Sequence, residues 1–172
     1  VGVGWLKEEF EALDSPDFER RGAVTDEWIT IFKQLWTQSP ASFTGEFYHF
    51  QDIRCEPFPL QQPHPPIWVG GHSRAALRRT ARYGNGWHPV GAIAASPLPP
   101  QEMQAHLATL KRLTEEEGRN FAAIDISYKA PLYDTTVSDR DGTRRSFSGS
   151  ADEIAGDIRS FAAIGVHELI FD

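Results

Sequence analysis

The sequence predicts an α/β fold built on parallel strands, and three observations carry that expectation. Short β-favouring apolar runs alternate with amphipathic segments from Val1 to the end of the chain, the order that right-handed βα units give. The run Pro65-Pro66-Ile67-Trp68-Val69 stops at Gly70-Gly71 and passes through His72-Ser73 directly into the helical stretch Arg74 to Ala81. Finally, no Gly-x-Gly-x-x-Gly turn precedes a helix with an acidic residue about 20 positions on, so the doubly wound nucleotide-binding alternative lacks its signature, and Gly2-Val3-Gly4 offers only half of one. These patterns by themselves allow a doubly wound or a barrel-like sheet.

Taken in order, Val1 to Gly4 read as a strand end, and Lys7 to Leu13 as a helix with Leu6, Phe10 and Leu13 on one face. Glu8 and Glu9 in its first turn complement the helix dipole. Glu9 could equally bond a cofactor ring or the neighbouring backbone from its place near the glycine-rich strand end. Ser15-Pro16 breaks that helix. Thr25, Asp26 and Glu27 are expected to cap the next, in which Trp28, Ile31, Phe32, Leu35 and Trp36 keep helical spacing and the tryptophans serve packing. Phe43 to Phe50 reads as a short strand or hairpin around Gly45, and the prolines at 57, 59, 63, 65 and 66 make 54–66 an extended linker.

Ile67 to Val69 then form a buried parallel strand, and Ser73 caps a helix that ends at Gly84, its Arg74, Arg78 and Arg82 making a solvated basic stripe. A second short strand follows over Asn85 to Val90, then a proline-rich loop over Ala94 to Pro100. Met103, Leu107, Leu110 and Leu113 mark a long helix ended by Gly118, and Ile124 to Ala130 alternates as a third strand. Residues 134–149 are polar, with a turn expected at Asp141-Gly142. Ser150 and Glu153 form a capping box for a helix carrying Ile154, Ile158, Phe161 and Ala162, closed by Gly165 before a last strand, Glu168 to Phe171.

The 172 residues suffice for one domain with a real core, expected over 1–172, and 40% hydrophobic with 24% charged residues is a globular composition. No apolar run approaches membrane-spanning length, and the opening Val1-Gly2-Val3-Gly4 lacks a Met or basic leader, which suggests that residues before Val1 are missing. A net charge of −7 argues against general nucleic-acid binding. Cys55 is the single cysteine, so neither an intrachain disulfide nor a thiolate metal cage forms, and a reducing cytoplasm is the expected compartment.

The chemistry concentrates at Gly70-Gly71-His72-Ser73. Two residues without Cβ let a ligand approach the backbone, and the free amides of the following helical turn could hold a phosphate, although two glycines can also simply let the chain turn. His88 could move a proton near neutrality. His49, His64 and His106 fall on a hairpin, a proline linker and a helix without shared spacing, so no metal site is expected, and no Gly-x-Ser-x-Gly elbow supports hydrolysis.

The ordered set Gly2 to Phe10, Glu19 to Gly22, Asp26-Glu27, Leu35 to Thr37, Phe43 to Gly45, Pro63 to Gly71 and Gly86 to Pro89 resembles the bacterial luciferase-like monooxygenase family, in particular its deazaflavin (F420)-dependent oxidoreductase branch. The resemblance implies a (β/α)8 TIM barrel of which this chain is the C-terminal part, about strands 4–8, and so a fragment of a longer chain whose full-length form is expected to be a homo-oligomer. It also implies a cofactor at the C-terminal ends of the strands. Gly70, Gly71 and Ser73 would hold its phosphate, with His72 as a further donor; Gly2 and Gly4 would let it approach the fourth strand end beside Glu9; Trp87 and His88 would stack on or contact cofactor or substrate, core packing being the alternative for Trp87. Catalytic residues are expected mainly from the first strands of the family's barrel. The implied activity is hydride transfer between coenzyme F420 and a small organic substrate. The alternatives are an FMN-dependent two-component monooxygenase, a non-catalytic half-barrel and a sugar-phosphate enzyme on the same scaffold.

Overall fold

The computed structural model describes residues 1–15, 17–131 and 142–171. Their contacts divide the chain into two compact units, Val1–Pro66 and Ile67–Asp172.

In the first unit, α1 spans Lys7–Ala12 and α2 spans Arg21–Thr37, followed by an antiparallel pair, β1 (Ala41–Thr44) and β2 (His49–Ile53). The hairpin around Gly45 is the one the sequence predicts. The strand expected at Val1 to Gly4 is not formed: residues 1–6 lie outside any helix or strand, because Gly4 takes φ +79° and breaks the extended repeat. The Phe10 ring occupies the space a Gly4 Cβ would need, at 2.6 Å. Helix α2 also starts four residues before the expected cap. Thr25 is buried within it, and its hydroxyl donates to the Arg21 carbonyl at 2.8 Å, so its side chain serves the helix interior. Val24, Ile29 and Ile31 are buried, whereas Trp36 is half-buried between Phe32 and His64. Leu13, expected on the packed face of α1, is 75% exposed. The proline break of α1 falls on Pro16, outside the described residues.

One carboxylate organises the hairpin turn. Glu27 of α2 accepts from the backbone amides of Glu46 (2.8 Å), Phe47 (3.1 Å) and Tyr48 (2.6 Å), and it fills the space where a Cβ on Gly45 would stand. A side chain at position 45 would displace the acceptor that satisfies three amides.

The second unit contains β3 (Trp68–Gly70), α3 (Arg74–Tyr83), β4 (Gly86–His88), β5 (Ala92–Ile93), β6 (Ser96–Pro97), α4 (Pro100–Glu116), β7 (Asp125–Ala130), α5 (Ala151–Ala163) and β8 (Glu168–Phe171). Four strands form one sheet in the order β3-β4-β7-β8, every pairing parallel, and a helix lies between each of these strands and the next strand of the same sheet. Neighbours in chain order being neighbours in space is the arrangement of a barrel segment. The loop expected at 94–100 holds the second strand of the small antiparallel pair β5-β6. The expected turn at Asp141-Gly142 includes Asp141, which lies outside the described residues.

Strand alternation gives this sheet two chemically different faces. Val69, Trp87, Ile126 and Tyr128 share one buried face, and the last three join Leu77, Met103, Leu107, Leu110 and Phe161 in one core cluster. The ring centres of Tyr128 and Phe161 lie 4.3 Å apart with their planes tilted by 44°, and the Tyr128 hydroxyl donates to the Leu98 carbonyl at 3.0 Å. Trp68, Gly70, His88, Ser127, Lys129 and Glu168 share the other face by register. On the second face of β7 Asp125 is exposed and Lys129 half-buried, but Ser127 between them is as buried as Tyr128, so the alternation does not read out as exposure at that position.

The helix ends follow local chemistry. Ser73 caps α3, its Oγ accepting from the Ala76 amide at 3.2 Å, and Ser150 with Glu153 makes the predicted reciprocal capping box of α5. The C-terminal carbonyls of α3 are capped from afar: Arg119 donates to Thr80 (3.2 Å), Ala81 (2.5 Å) and Gly84 (2.6 Å). A Cβ at Gly84 would crowd the Thr80 backbone at 3.1 Å.

Candidate functional site

The turn between β3 and α3 sits at the C-terminal edge of the sheet. Gly71 adopts φ +82°, a conformation that L side chains rarely take, and is exposed, as are Ser73 and Arg74. The amides at the start of α3 precede its first intrahelical bond and carry the positive end of the helix dipole. The indole of Trp87, on neighbouring β4, donates from Nε1 to the Gly71 carbonyl at 2.8 Å. Trp87 is fully buried among core side chains, so in this structure it shapes the turn from below.

His72 continues the turn with its ring half-buried. Its Nε2 lies 2.6 Å from Ser96 Oγ in β6, and its ring centre is 5.8 Å from that of His106 in α4. His106 Nε2 is in turn 3.6 Å from Glu102 Oε1, one helical turn earlier, and its ring meets Trp87 edge-on at 6.4 Å. Burial, and then the neighbouring His106, push the His72 pKa down, while Glu102 opposes them. The histidine brought to His106 is therefore neither His49 nor His64 but His72, a pairing across 34 positions that sequence spacing does not reveal.

His88 lies on the opposite face of the sheet, with its ring 5.9 Å from that of Trp68 and Nδ1 2.7 Å from Ser127 Oγ. Ser127 Oγ also donates to the Trp87 carbonyl at 3.2 Å. A hydroxyl has one proton, so the hydrogen-bond pattern assigns Nδ1 of His88 as the donor and leaves the lone pair on Nε2. Burial, followed by the positive charge of Lys129, lowers the His88 pKa against the pull of Glu168, which favours the neutral imidazole. The result is a neutral acceptor with a fixed tautomer at a strand end.

A cleft of about 250 Å³ opens where the chain leaves β4 and approaches α5, lined by Gly91, Ile93, Leu98, Arg144 and Arg145 among others. Arg144 is bound bidentate to Asp157, at 2.8 and 2.7 Å, which raises its pKa and spends its charge within the fold.

Gly2, Gly4 and Glu9 belong to the first unit. Gly2 has open space around it, and Glu9 is exposed on α1. The structure thus brings Gly70, Gly71, His72, Ser73 and Trp87 together, places His88 on the other face of the same sheet, and adds Ser96, Glu102, His106 and Ser127, which the sequence reading did not single out as partners. Among the described residues no helix is long and apolar enough to cross a membrane.

Comparison with known proteins agrees with this architecture. Residues 1–135 match the family model described as luciferase-like monooxygenase. An FMNH(2)-dependent dimethylsulfone monooxygenase of Pseudomonas putida is 29% identical, across 99% of this chain and 59% of its own length. An uncharacterised protein of Mycobacterium tuberculosis is 40% identical over 69% of this chain and 38% of its own. Among solved structures, an F420-dependent secondary alcohol dehydrogenase superposes with a TM-score of 0.78 at 14% identity, covering 99% of this chain and 62% of that one. The monooxygenase RslO1 from Streptomyces bottropensis gives 0.76 at 20% identity, covering 99% and 59%. At such identities the structural likeness speaks for the fold, a partial (β/α)8 barrel, and the chain spans about 38% to 59% of these two curated relatives. With more than three quarters of its residues matched by the family model, the chain belongs to the luciferase-like monooxygenase family.

Proposed function

We propose that this chain supplies the phosphate-binding part of a reduced-flavin site in an oxidoreductase acting on a small organic substrate. The observation that carries the reading is the Gly70–Ser73 turn, where an exposed glycine at φ +82° precedes a capped ten-residue helix whose first amides are free of intrahelical bonds. A phosphate fits this donor set: backbone N-H groups, the Ser73 hydroxyl and the exposed Arg74. His72 could add a donor, and Trp87 holds the carbonyl side of the turn away from the anion. Reduced FMN takes precedence over deazaflavin because the Pseudomonas putida relative, similar across almost the whole chain, is named for FMNH(2), whereas the F420-linked structure shares only 14% identity. When bound, the reduced flavin supplies the electrons for oxygenation of the substrate.

The chain's own residues bind and orient. His88 Nε2 offers a neutral acceptor to a ring or substrate proton, with Ser127 fixing its direction. Gly2, Gly4 and Glu9 are proposed as cofactor contacts on the family resemblance alone, a role that Glu9→Gln tests separately. The direct test is calorimetric titration of the chain with FMN and with F420, for wild type and Gly71→Val. Measurable FMN binding that the substitution weakens by about tenfold or more supports the reading, since each charge-assisted hydrogen bond to the anion contributes roughly 1.5–3 kcal/mol. Equal affinity of the two proteins would remove the phosphate from this turn. Tighter binding of F420 than FMN would return the cofactor to deazaflavin.

A further inference from the structure

We propose that His72, Glu102 and His106 form a binding site for a divalent transition-metal ion of the zinc type, clamping the β3-α3 turn to helix α4.

Each of the three residues offers one ligand atom, and these atoms all lie within 4.8 Å of one another. In a tetrahedral zinc site with bonds of about 2.0–2.2 Å the ligand atoms stand roughly 3.4 Å apart, so a shift of about 1.4 Å at most closes the set. His106 Nε2 and Glu102 Oε1 are already 3.6 Å apart. They are spaced i, i+4 on α4, which stacks their side chains on one helical face. The remaining adjustment falls on side chains that can make it. Glu102 is exposed and both imidazoles are half-buried, while the backbones are anchored by Met103 and Leu107 under α4 and by the Trp87 bond to Gly71 beneath the turn.

The donor chemistry selects the ion. Two imidazoles and one carboxylate suit zinc and its Co²⁺, Ni²⁺ and Cu²⁺ neighbours, and are a poor match to the all-oxygen shells of Mg²⁺ or Ca²⁺. Three protein ligands leave a fourth position open to water or an anionic oxygen. Ser96 Oγ, 2.6 Å from His72 Nε2, is the further polar group that orients the ring, as partners of ligating histidines do. A bound ion would place a double positive charge next to Gly71 and Ser73 and fix the turn against α4.

The test is titration of the metal-free chain with Zn²⁺ alone, followed by Co²⁺ with visible absorption. One Zn²⁺ per chain is expected, with a Co²⁺ spectrum of the intense, four-coordinate kind. His106→Ala and Glu102→Gln should weaken binding by at least about tenfold, because even changes outside a ligand set alter metal affinity roughly 10- to 100-fold. Glu102 is exposed on a helix surface, so its substitution leaves folding intact and keeps the test decisive where a histidine variant fails to fold. Zn²⁺ should also raise the thermal midpoint of the wild type and leave that of Glu102→Gln nearly unmoved. Absence of Zn²⁺ binding would overturn the proposal, and so would binding that Glu102→Gln and His106→Ala leave unchanged, which would place the ion at other residues. Glu102→Gln, on α4 and outside the phosphate turn, should weaken Zn²⁺ binding while sparing FMN binding, so the metal site and the phosphate turn can fail independently.

Discussion

The indole Nε1 of Trp87 donates to the carbonyl of Gly71 at 2.8 Å, tying a fully buried core residue of β4 to the exposed turn that follows the neighbouring strand β3. Core packing and turn geometry are thereby one interaction. Trp87→Phe keeps a large ring and deletes the donor, so it should cost about 0.5–1.5 kcal/mol in urea unfolding, while Trp87→Ala should cost about 3–5 kcal/mol. If the turn depends on that bond, Trp87→Phe will also weaken FMN binding in titration of the folded protein. Unchanged affinity would make Trp87 a core residue only.

Gly71 and Gly118 separate backbone strain from ligand access. Both have positive φ, +82° and +69°, and neither has backbone close to the position of an added Cβ. Alanine at either should cost about 1–2 kcal/mol, the penalty of a left-handed L residue. Only Gly71→Ala should reduce FMN affinity, because only Gly71 lies in the candidate cradle. An equal loss of affinity in Gly118→Ala would show that strain alone explains the effect.

Much of this was legible in the sequence for local reasons. The four parallel strands, the Ser73 cap and the Ser150–Glu153 box depend on short runs whose chemistry is self-contained. Val1 to Gly4 misled because β-branched residues alternate with glycines, yet Gly4 turns the backbone out of register with an extended strand. Thr25 has the hydroxyl of a cap, but it is itself buried between Val24 and Ile29 on the packed side of a helix that starts about one turn earlier, at Arg21. The candidate site was half legible. Gly70 to Ser73 is a contiguous motif, whereas the meeting of His72 with Ser96 and His106 exists only after β3, β6 and α4 have packed. The i, i+4 spacing of Glu102 and His106 was the one available signal.

Glu27 predicts a defect confined to the hairpin. Its carboxylate accepts from three successive amides, so Glu27→Ala leaves them without that acceptor and should destabilise the protein by about 1.5–3 kcal/mol. Hydrogen exchange should accelerate at Glu46, Phe47 and Tyr48 with little change in β7. Protection retained at these amides in the variant would show that water replaces the carboxylate without cost.

His88 sets a pH dependence whose sign follows from its surroundings. Burial first, then Lys129, lowers its pKa below the ordinary 6.5, and Glu168 only partly offsets them. The unfolded chain therefore binds the imidazole proton at a higher pH than the folded chain does. Between the two values the unfolded state carries more protons, so stability rises with pH there and falls on acidification. The contribution is fully present above about 6.5 and is lost as pH falls through the folded value, where His88 must charge beside Lys129. His72 shifts in the same direction and adds to the slope. Urea midpoints measured from about pH 7.5 down to 5, across the ordinary histidine range, should thus decline for the wild type. His88→Gln keeps a polar side chain without a titrating proton, so its decline should be shallower, with the residue of the slope belonging to His72 and removed in the double variant. Superimposable pH profiles for wild type and His88→Gln would mean that Nε2 reaches solvent freely and that the neutral, Ser127-directed imidazole is not what the folded protein maintains.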